Sequence, residues 1–213
     1  MEVSGSRISR EDFAAYITQV SDVIAAMTKD GYPHPTAFEI ETAVAFLFFK
    51  KENCDLVLLE VGMGGNLDAT NIIKNTLLAV LVSISMDHMS FLGNTLAQIA
   101  EKKAGIIKDG CRVVTARQKP EAMQVIERIS REHGTKCTIA DASEAEMLKE
   151  SCLGQTIRYR GEEYEIPLAG VYQKENAVVA LNALKVLDEL GFPTAAEQKK
   201  EGLRTVNWNG RFT

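Results

Sequence analysis

The sequence predicts an α/β fold: a mostly parallel sheet flanked by helices, with a small antiparallel β element near residues 155–167. Three observations predict it. Continuous apolar runs at residues 55–61 and 77–85 have the pattern of strands buried on both faces, where no polar alternation is needed. Segments with helical spacing alternate with these and shorter strand-like runs, which implies crossover connections and parallel pairing. After about residue 140 the character changes, and residues 156–159 and 163–166 flank Arg160-Gly161-Glu162 as the arms of a hairpin would.

Each element follows from its own residues. Ser9 before Arg10-Glu11-Asp12 reads as an N-cap with acids in the first turn, and Phe13, Ile17, Val20 and Ile24 recur at helical spacing over residues 10–29. Two prolines within Gly31-Tyr-Pro-His-Pro35 end that helix, and a more apolar one follows over residues 38–50. The apolar run 55–61 stops at glycines, and 77–85 is the second strand. Residues 95–103 read as a helix, 112–115 as a short strand, 120–133 as a helix opened by proline, and 138–140 as a further strand. Beyond the hairpin, residues 171–190 form a long helix stopped by Gly191 and Pro193, and 195–203 a last short one. There is no internal repeat, no low-complexity tract and no linker long enough to separate independent domains, so residues 1–213 are read as one domain.

Composition excludes several classes. With 46% hydrophobic and 25% charged residues, the chain has the material for a core. Its 24 basic and 29 acidic side chains leave a net charge of −5, which argues against nucleic acid as a partner. No apolar run approaches the roughly 20 residues of a membrane span, and the N-terminus lacks a basic and apolar signal segment. A cytoplasmic location is the resulting expectation. Cys54, Cys111, Cys137 and Cys152 are widely spaced and read as isolated, reduced thiols.

Five segments could carry chemistry. In Leu59-Glu60-Val-Gly-Met-Gly-Gly65-Asn-Leu-Asp68 a strand delivers a carboxylate into a glycine-rich turn, the edge where open α/β sheets bind ligands. Glu60 suits magnesium as a hard oxygen ligand, or is simply a solvated carboxylate at a turn. The glycine order is not a dinucleotide fingerprint, and G-x-x-x-x-G-K-[ST] occurs nowhere in the chain. Asp87-His88 ends the next apolar run. Its imidazole could ligate a metal with Asp87 orienting it, or sit exposed. Glu101-Lys102-Lys103-Ala104-Gly105 reads as a helix C-terminus whose cations complement the dipole, with Gly105 as C-cap. Gln173 and Asn176, three apart on a first helical turn, could read an adenine edge or cap the helix. Arg211, after Trp208-Asn-Gly, could bind phosphate or be a surface cation.

Taken in order, these segments resemble the folylpolyglutamate synthase and dihydrofolate synthase family of the Mur-ligase superfamily. The carrying residues are His34-Pro-Thr-Ala-Phe-Glu39, Leu59-Glu-Val-Gly-Met-Gly-Gly65, Leu67-Asp-Ala-Thr-Asn71, Asp87-His88, Leu92-Gly93, Lys103-Ala-Gly-Ile-Ile-Lys108, Gln173-Lys-Glu-Asn176-Ala and Trp208-Asn-Gly-Arg211-Phe212. The resemblance implies a Mur-ligase central domain of P-loop NTPase-like architecture. It implies an ATP-dependent ligase that joins L-glutamate to a folate or dihydropteroate carboxylate through an acyl phosphate, with Mg2+ as cofactor and a monomeric parent enzyme. By position, Glu60 and His88 match the magnesium ligands, and Lys103 matches the family's carbamylated lysine. Thr36, Ala37, Phe38 and Glu39 match the pterin-substrate segments together with Leu67, Asp68 and Ala69. Asn176 and Arg211 match ATP contacts.

The chain departs from the family's pattern at Asn66 for a frequent arginine, Met89 for threonine, Lys102 for glutamate, Asn209 for proline and Thr213 for an acid. Family members carry a phosphate loop upstream and a second α/β domain downstream of the matched segments. The chain therefore reads as a truncated central ATP and pterin-substrate domain, inactive alone. The alternatives are a non-catalytic pterin-binding relic or paralogue, and a peptidoglycan-precursor ligase, against which Pro35-Thr-Ala-Phe-Glu39 argues.

Overall fold

Two short strands, β1 (Glu2–Val3) and β2 (Ser6–Arg7), pair antiparallel at the N-terminus. The structure, a computed structural model, describes residues 1–208. Two compact units make up the chain, Met1–Ile73 and Lys74–Thr213.

In the first unit, α1 (Arg10–Lys29) starts where the Ser9 hydroxyl accepts the Asp12 N–H at 2.9 Å, the cap its sequence predicts. Helix α2 (Ala37–Lys51) starts on a capping box: Thr36 accepts the Glu39 N–H at 3.3 Å, and the Glu39 carboxylate accepts the Thr36 N–H at 2.7 Å. The two helices pack on one another, and Lys51 reaches Asp12 at 2.6 Å. Val44 and Phe48 are buried on α2, but α1 buries only Ile24.

Residues 55–61 depart from expectation. Among the described residues they join no strand, and Leu58 is 93% exposed. An apolar run becomes a buried strand only when a neighbouring strand takes up its N–H and C=O groups. No such neighbour is present among the described residues, so the run's composition is not matched by burial.

The second unit holds the predicted parallel sheet, in the order β3 (Leu78–Leu81), β4 (Arg112–Ala116), β5 (Cys137–Ala140), with Val80 opposite Val114 and Val114 opposite Thr138. The connections run through α3 (Met89–Leu92), α4 (Leu96–Ala104) and α5 (Pro120–Glu132). Strand alternation divides the core. Val113 joins Ile99 of α4 and Ile126 of α5 in one cluster, while Val114 joins Val178 and Val186 of α6 (Gln173–Glu189) in another. Each of these fully buried side chains contributes about 1.5–3 kcal/mol relative to an exposed one.

The antiparallel element has three strands, not two: β6 (Glu146–Ser151), β7 (Gly154–Tyr159) and β8 (Glu162–Ile166). Glu-Met-Leu-Lys-Glu at 146–150 favours helix intrinsically, and pairing with β7 overrides that preference. Helix α7 (Ala196–Arg204) closes the described fold, packing on β8.

Candidate functional site

Within the first unit, three of the predicted segments converge. The ring of Phe38, in the first turn of α2, lies against Gly62. A Cβ at Gly62 would stand 2.7 Å from the ring, so any larger residue there would displace Phe38 from this position. Asp68 then ties the glycine turn to the next turn of the chain. One carboxylate oxygen accepts the Met63 N–H at 2.9 Å, and the other accepts the N–H and hydroxyl of Thr70 at 2.9 and 2.5 Å. Partial burial pushes the Asp68 carboxyl up, but the hydrogen bonds from Thr70, Met63 and Gly62 outweigh it and hold the group below its ordinary range. A 3-10 turn over Ala69–Ile72 starts on this cap.

Of the predicted substrate residues, Phe38 and Asp68 thus touch the glycine turn, Thr36, Ala37, Glu39, Leu67 and Ala69 being their chain neighbours, and Phe38, Met63 and Leu67 expose apolar surface. Glu39 is engaged in its capping box. Glu60 is exposed near the end of the unpaired run 55–61.

In the second unit, strand pairing of β3 ends at Leu81, but its line continues through a side chain. The Gln118 amide donates to Val82 O at 2.9 Å, accepts the Ile84 N–H at 2.9 Å, and donates to the Thr115 hydroxyl at 3.1 Å. It substitutes for a strand peptide and fixes the backbone that leads to Asp87-His88. His88 takes a left-handed conformation, φ 48° and ψ 39°, uncommon outside glycine and a mark of a backbone held by its surroundings. Its N–H donates to Asp87 at 2.8 Å and its ring lies 3.7 Å from the other Asp87 oxygen, both side chains facing solvent.

Lys103 lies in the last turn of α4, as predicted. It shares the helix face of Ile99 and Ala100, both fully buried, and is itself half-buried, while Lys102 is exposed. No ion pair engages its amine among the described residues. Gly105 is the C-cap, with an ordinary right-handed φ of −61°. An open depression of about 470 Å³, lined by Met89, Phe91, Asn94, Gln98 and Lys102 among others, includes neither His88 nor Lys103.

At the start of α6 the Asn176 amide donates to Gln173 Oε1 at 3.3 Å, so the predicted shared face exists. Neither side chain caps the helix, since Tyr172 occupies the cap position without a side-chain bond. Arg211 lies outside the described residues. Gln118 was not legible as functional, because its partners are 34 and 36 residues away; a polar amide directly after a buried strand is the only local signal.

Among the described residues no three His, Cys, Asp or Glu side chains cluster to hold an ion unaided. Magnesium needs only one or two protein carboxylates when phosphate oxygens and waters complete its octahedron. Glu60, in the first unit, and Asp87, in the second, are oxygens of that kind. The four cysteines are free, and no described helix is long and apolar enough to cross a membrane.

Residues 11–184 match the family model described as the Mur ligase middle domain. The chain is 35% identical to the dihydrofolate synthase/folylpolyglutamate synthase of Bacillus subtilis over its whole length, covering 51% of that protein. Among solved structures it is similar to Mycobacterium tuberculosis folylpolyglutamate synthase complexed with ADP and AMPPCP, with a TM-score of 0.83 and 31% identity over 98% of this chain and 49% of that one. It is also similar to an FPGS–AMPPCP–folate complex, with a TM-score of 0.81 and 28% identity over 93% of this chain and 50% of that one. The chain spans about half the length of the curated relatives it matches.

Proposed function

The chain belongs to the Mur ligase middle-domain family, and on that premise we propose that it is the ATP- and pterin-handling part of a cytoplasmic, monomeric ligase that adds L-glutamate to a folate or dihydropteroate carboxylate. The observation that carries the substrate side is the convergence of Thr36–Glu39, the glycine turn and Leu67–Ala69 through the Phe38–Gly62 contact and the Asp68 hydrogen bonds. The exposed faces of Phe38, Met63 and Leu67 suit a flat aromatic ligand. Relatives captured with ADP, AMPPCP and folate support the same reading.

The reaction is two displacements. The substrate carboxylate attacks the γ-phosphorus of ATP and ADP leaves; the amine of glutamate then attacks the acyl phosphate, loses a proton and expels inorganic phosphate. Little covalent work falls to the protein, so positioning and charge stabilisation dominate. Glu60 and His88 would hold Mg2+, which when bound supplies charge neutralisation at the migrating phosphoryl group. The Gln118 clamp and the Asp87 contact fix where His88 is presented. Lys103, its amine unengaged on a half-buried helix face, is the position for carbamylation: the ammonium loses one proton, the free amine adds to CO2 with loss of a second, and a cation becomes an anionic carbamate able to offer oxygen ligands. Asn176 and Arg211 would contact ATP.

The test is turnover by the full-length protein. With ATP, Mg2+ and L-glutamate it forms the glutamyl amide of folate or dihydropteroate with one ADP released per bond; no product from either pterin sinks the reading. The motif G-x-x-x-x-G-K-[ST] does not occur in the 213 residues, so on this reading they should release no glutamate-dependent ADP by themselves; its release would overturn that expectation.

A further inference from the structure

We infer that Gln155 is a positioning residue of the nucleotide site: its amide locks the turn that launches α6 and thereby aims Asn176. The inference rests on the reading of Asn176 as an ATP contact and adds a residue that no spacing in the sequence ties to it.

Gln155 stands near the start of β7 and is only 4% exposed. Its Nε2 donates to the carbonyl of Gly170, fifteen residues on. The same oxygen accepts the N–H of Gln173, the first residue of α6, at 3.0 Å. One carbonyl therefore joins the antiparallel sheet, the turn and the helix start. A carbonyl needs a donor opposite it, so the orientation of the amide is set, and Oε1 is left buried with no partner among the described residues. A side chain present only to fill space would carry no such oxygen, because an apolar side chain of equal length fills the same volume without an unmatched acceptor.

The turn itself admits little variation. Gly170 has φ 117°, and a Cβ there would meet the Tyr172 ring at 2.9 Å. From this turn the path to Asn176 is short and rigid. Its N–H is bonded to Tyr172 O at 3.0 Å and its side chain to Gln173 at 3.3 Å. Releasing Gly170 thus lets the first turn of α6 shift as a unit, carrying Gln173 and Asn176 with it. Neither the sheet strands nor the C-terminal part of α6 would move, since Asn182 is anchored separately, donating to Tyr159 Oη at 3.1 Å and accepting from Arg160.

The experiment is steady-state kinetics of the full-length protein with three variants. Gln155→Met keeps length and volume, removes the donor and the unmatched oxygen together, and leaves Gly170 O its bond from Gln173. It raises the KM for ATP about tenfold, as loss of alignment does, and leaves the KM for L-glutamate unchanged. Its melting temperature stays within about 3 °C of the parent. Gln155→Leu, which likewise removes the donor to the Gly170 carbonyl, raises the ATP KM comparably and serves alone if Gln155→Met does not fold. Asn176→Ala is the reference. If it raises the ATP KM and neither Gln155 variant does, the positioning role is overturned while the ATP reading stands. If Asn176→Ala has no effect, the ATP reading fails and the inference with it. Both KM values rising together with a large loss of melting temperature would mark a packing role and overturn the inference as well.

Discussion

Residues 1–73 and the second unit are built on different principles. The second unit closes a three-stranded parallel sheet between two apolar clusters, and Val113, Val114, Ile99, Ile126 and Val178 are fully buried. The first unit buries few side chains and presents Leu58, Leu67, Ile72 and Val23 to solvent. Its order comes largely from local devices, the Ser9 cap, the Thr36–Glu39 capping box and the Asp68 cap, with the Lys51–Asp12 pair joining its two helices. The contrast teaches that segments matched to substrate lie where apolar surface is left open, while the burial that stabilises the fold lies mostly elsewhere.

The sharpest way to break that contrast is Glu60→Ala in the full-length protein. Glu60 is exposed, so stability should change by less than about 0.5 kcal/mol. Glutamate-dependent ADP release should nevertheless fall at least about a thousandfold. Retained turnover would remove Glu60 from the metal site.

Next in size is the comparison of Ile126→Ala with Leu58→Ala under denaturant. The first empties a fully buried site and should cost about 3 kcal/mol; the second, at a side chain 93% exposed, should cost less than about 0.5 kcal/mol. Equal losses would mean that residues 55–61 are covered in solution.

Thr36→Ala removes one half of the capping box and should cost about 1 kcal/mol, read as helicity lost from the first unit before the second.

The smallest effect is pH-dependent. Hydrogen bonds from Arg117, at 2.5 and 2.8 Å, and from Ser143 hold the Asp141 carboxyl down to about 2 from an ordinary 3.8. A folded value below the unfolded one means the contribution is fully present above 3.8 and is lost as pH falls through about 2. The stability difference between parent and Asp141→Asn should therefore shrink across that window. A difference that stays flat would show the pair to be inert, as exposed pairs often are.

How far the sequence could be read depended on the range of the interaction. Ser9, Thr95 and Pro120 open predicted helices that start there in the structure, whereas the Thr36 capping box, which starts α2 one residue before the predicted 38, is not part of the sequence reading. The strand-like runs at 77–85, 112–115 and 138–140 contain or overlap the paired strands at 78–81, 112–116 and 137–140. An apolar run is not sufficient at 55–61, where no pairing partner is present among the described residues, and 146–151 is not legible in the sequence because its strand depends on pairing with β7 and not on its own composition. For the site, the stretches around Glu60, Asp68, His88, Lys103 and Asn176 were legible through their ordered resemblance to one family. Gln118 and Gln155 were not, since each acts on backbone 15 to 36 residues away.

The amino-acid sequence on its own determined where most helices start and stop and the alternation of buried runs with amphipathic ones. These arise from chemistry within a turn or two of the chain. Only the tertiary structure decided that Phe38 seats on Gly62, that Asp68 gathers the N–H groups of the turn before it, and that two glutamine amides hold the approaches to His88 and Asn176. Those contacts form because buried or crowded backbone groups must find partners, and which partner arrives is settled by how the strands and helices pack.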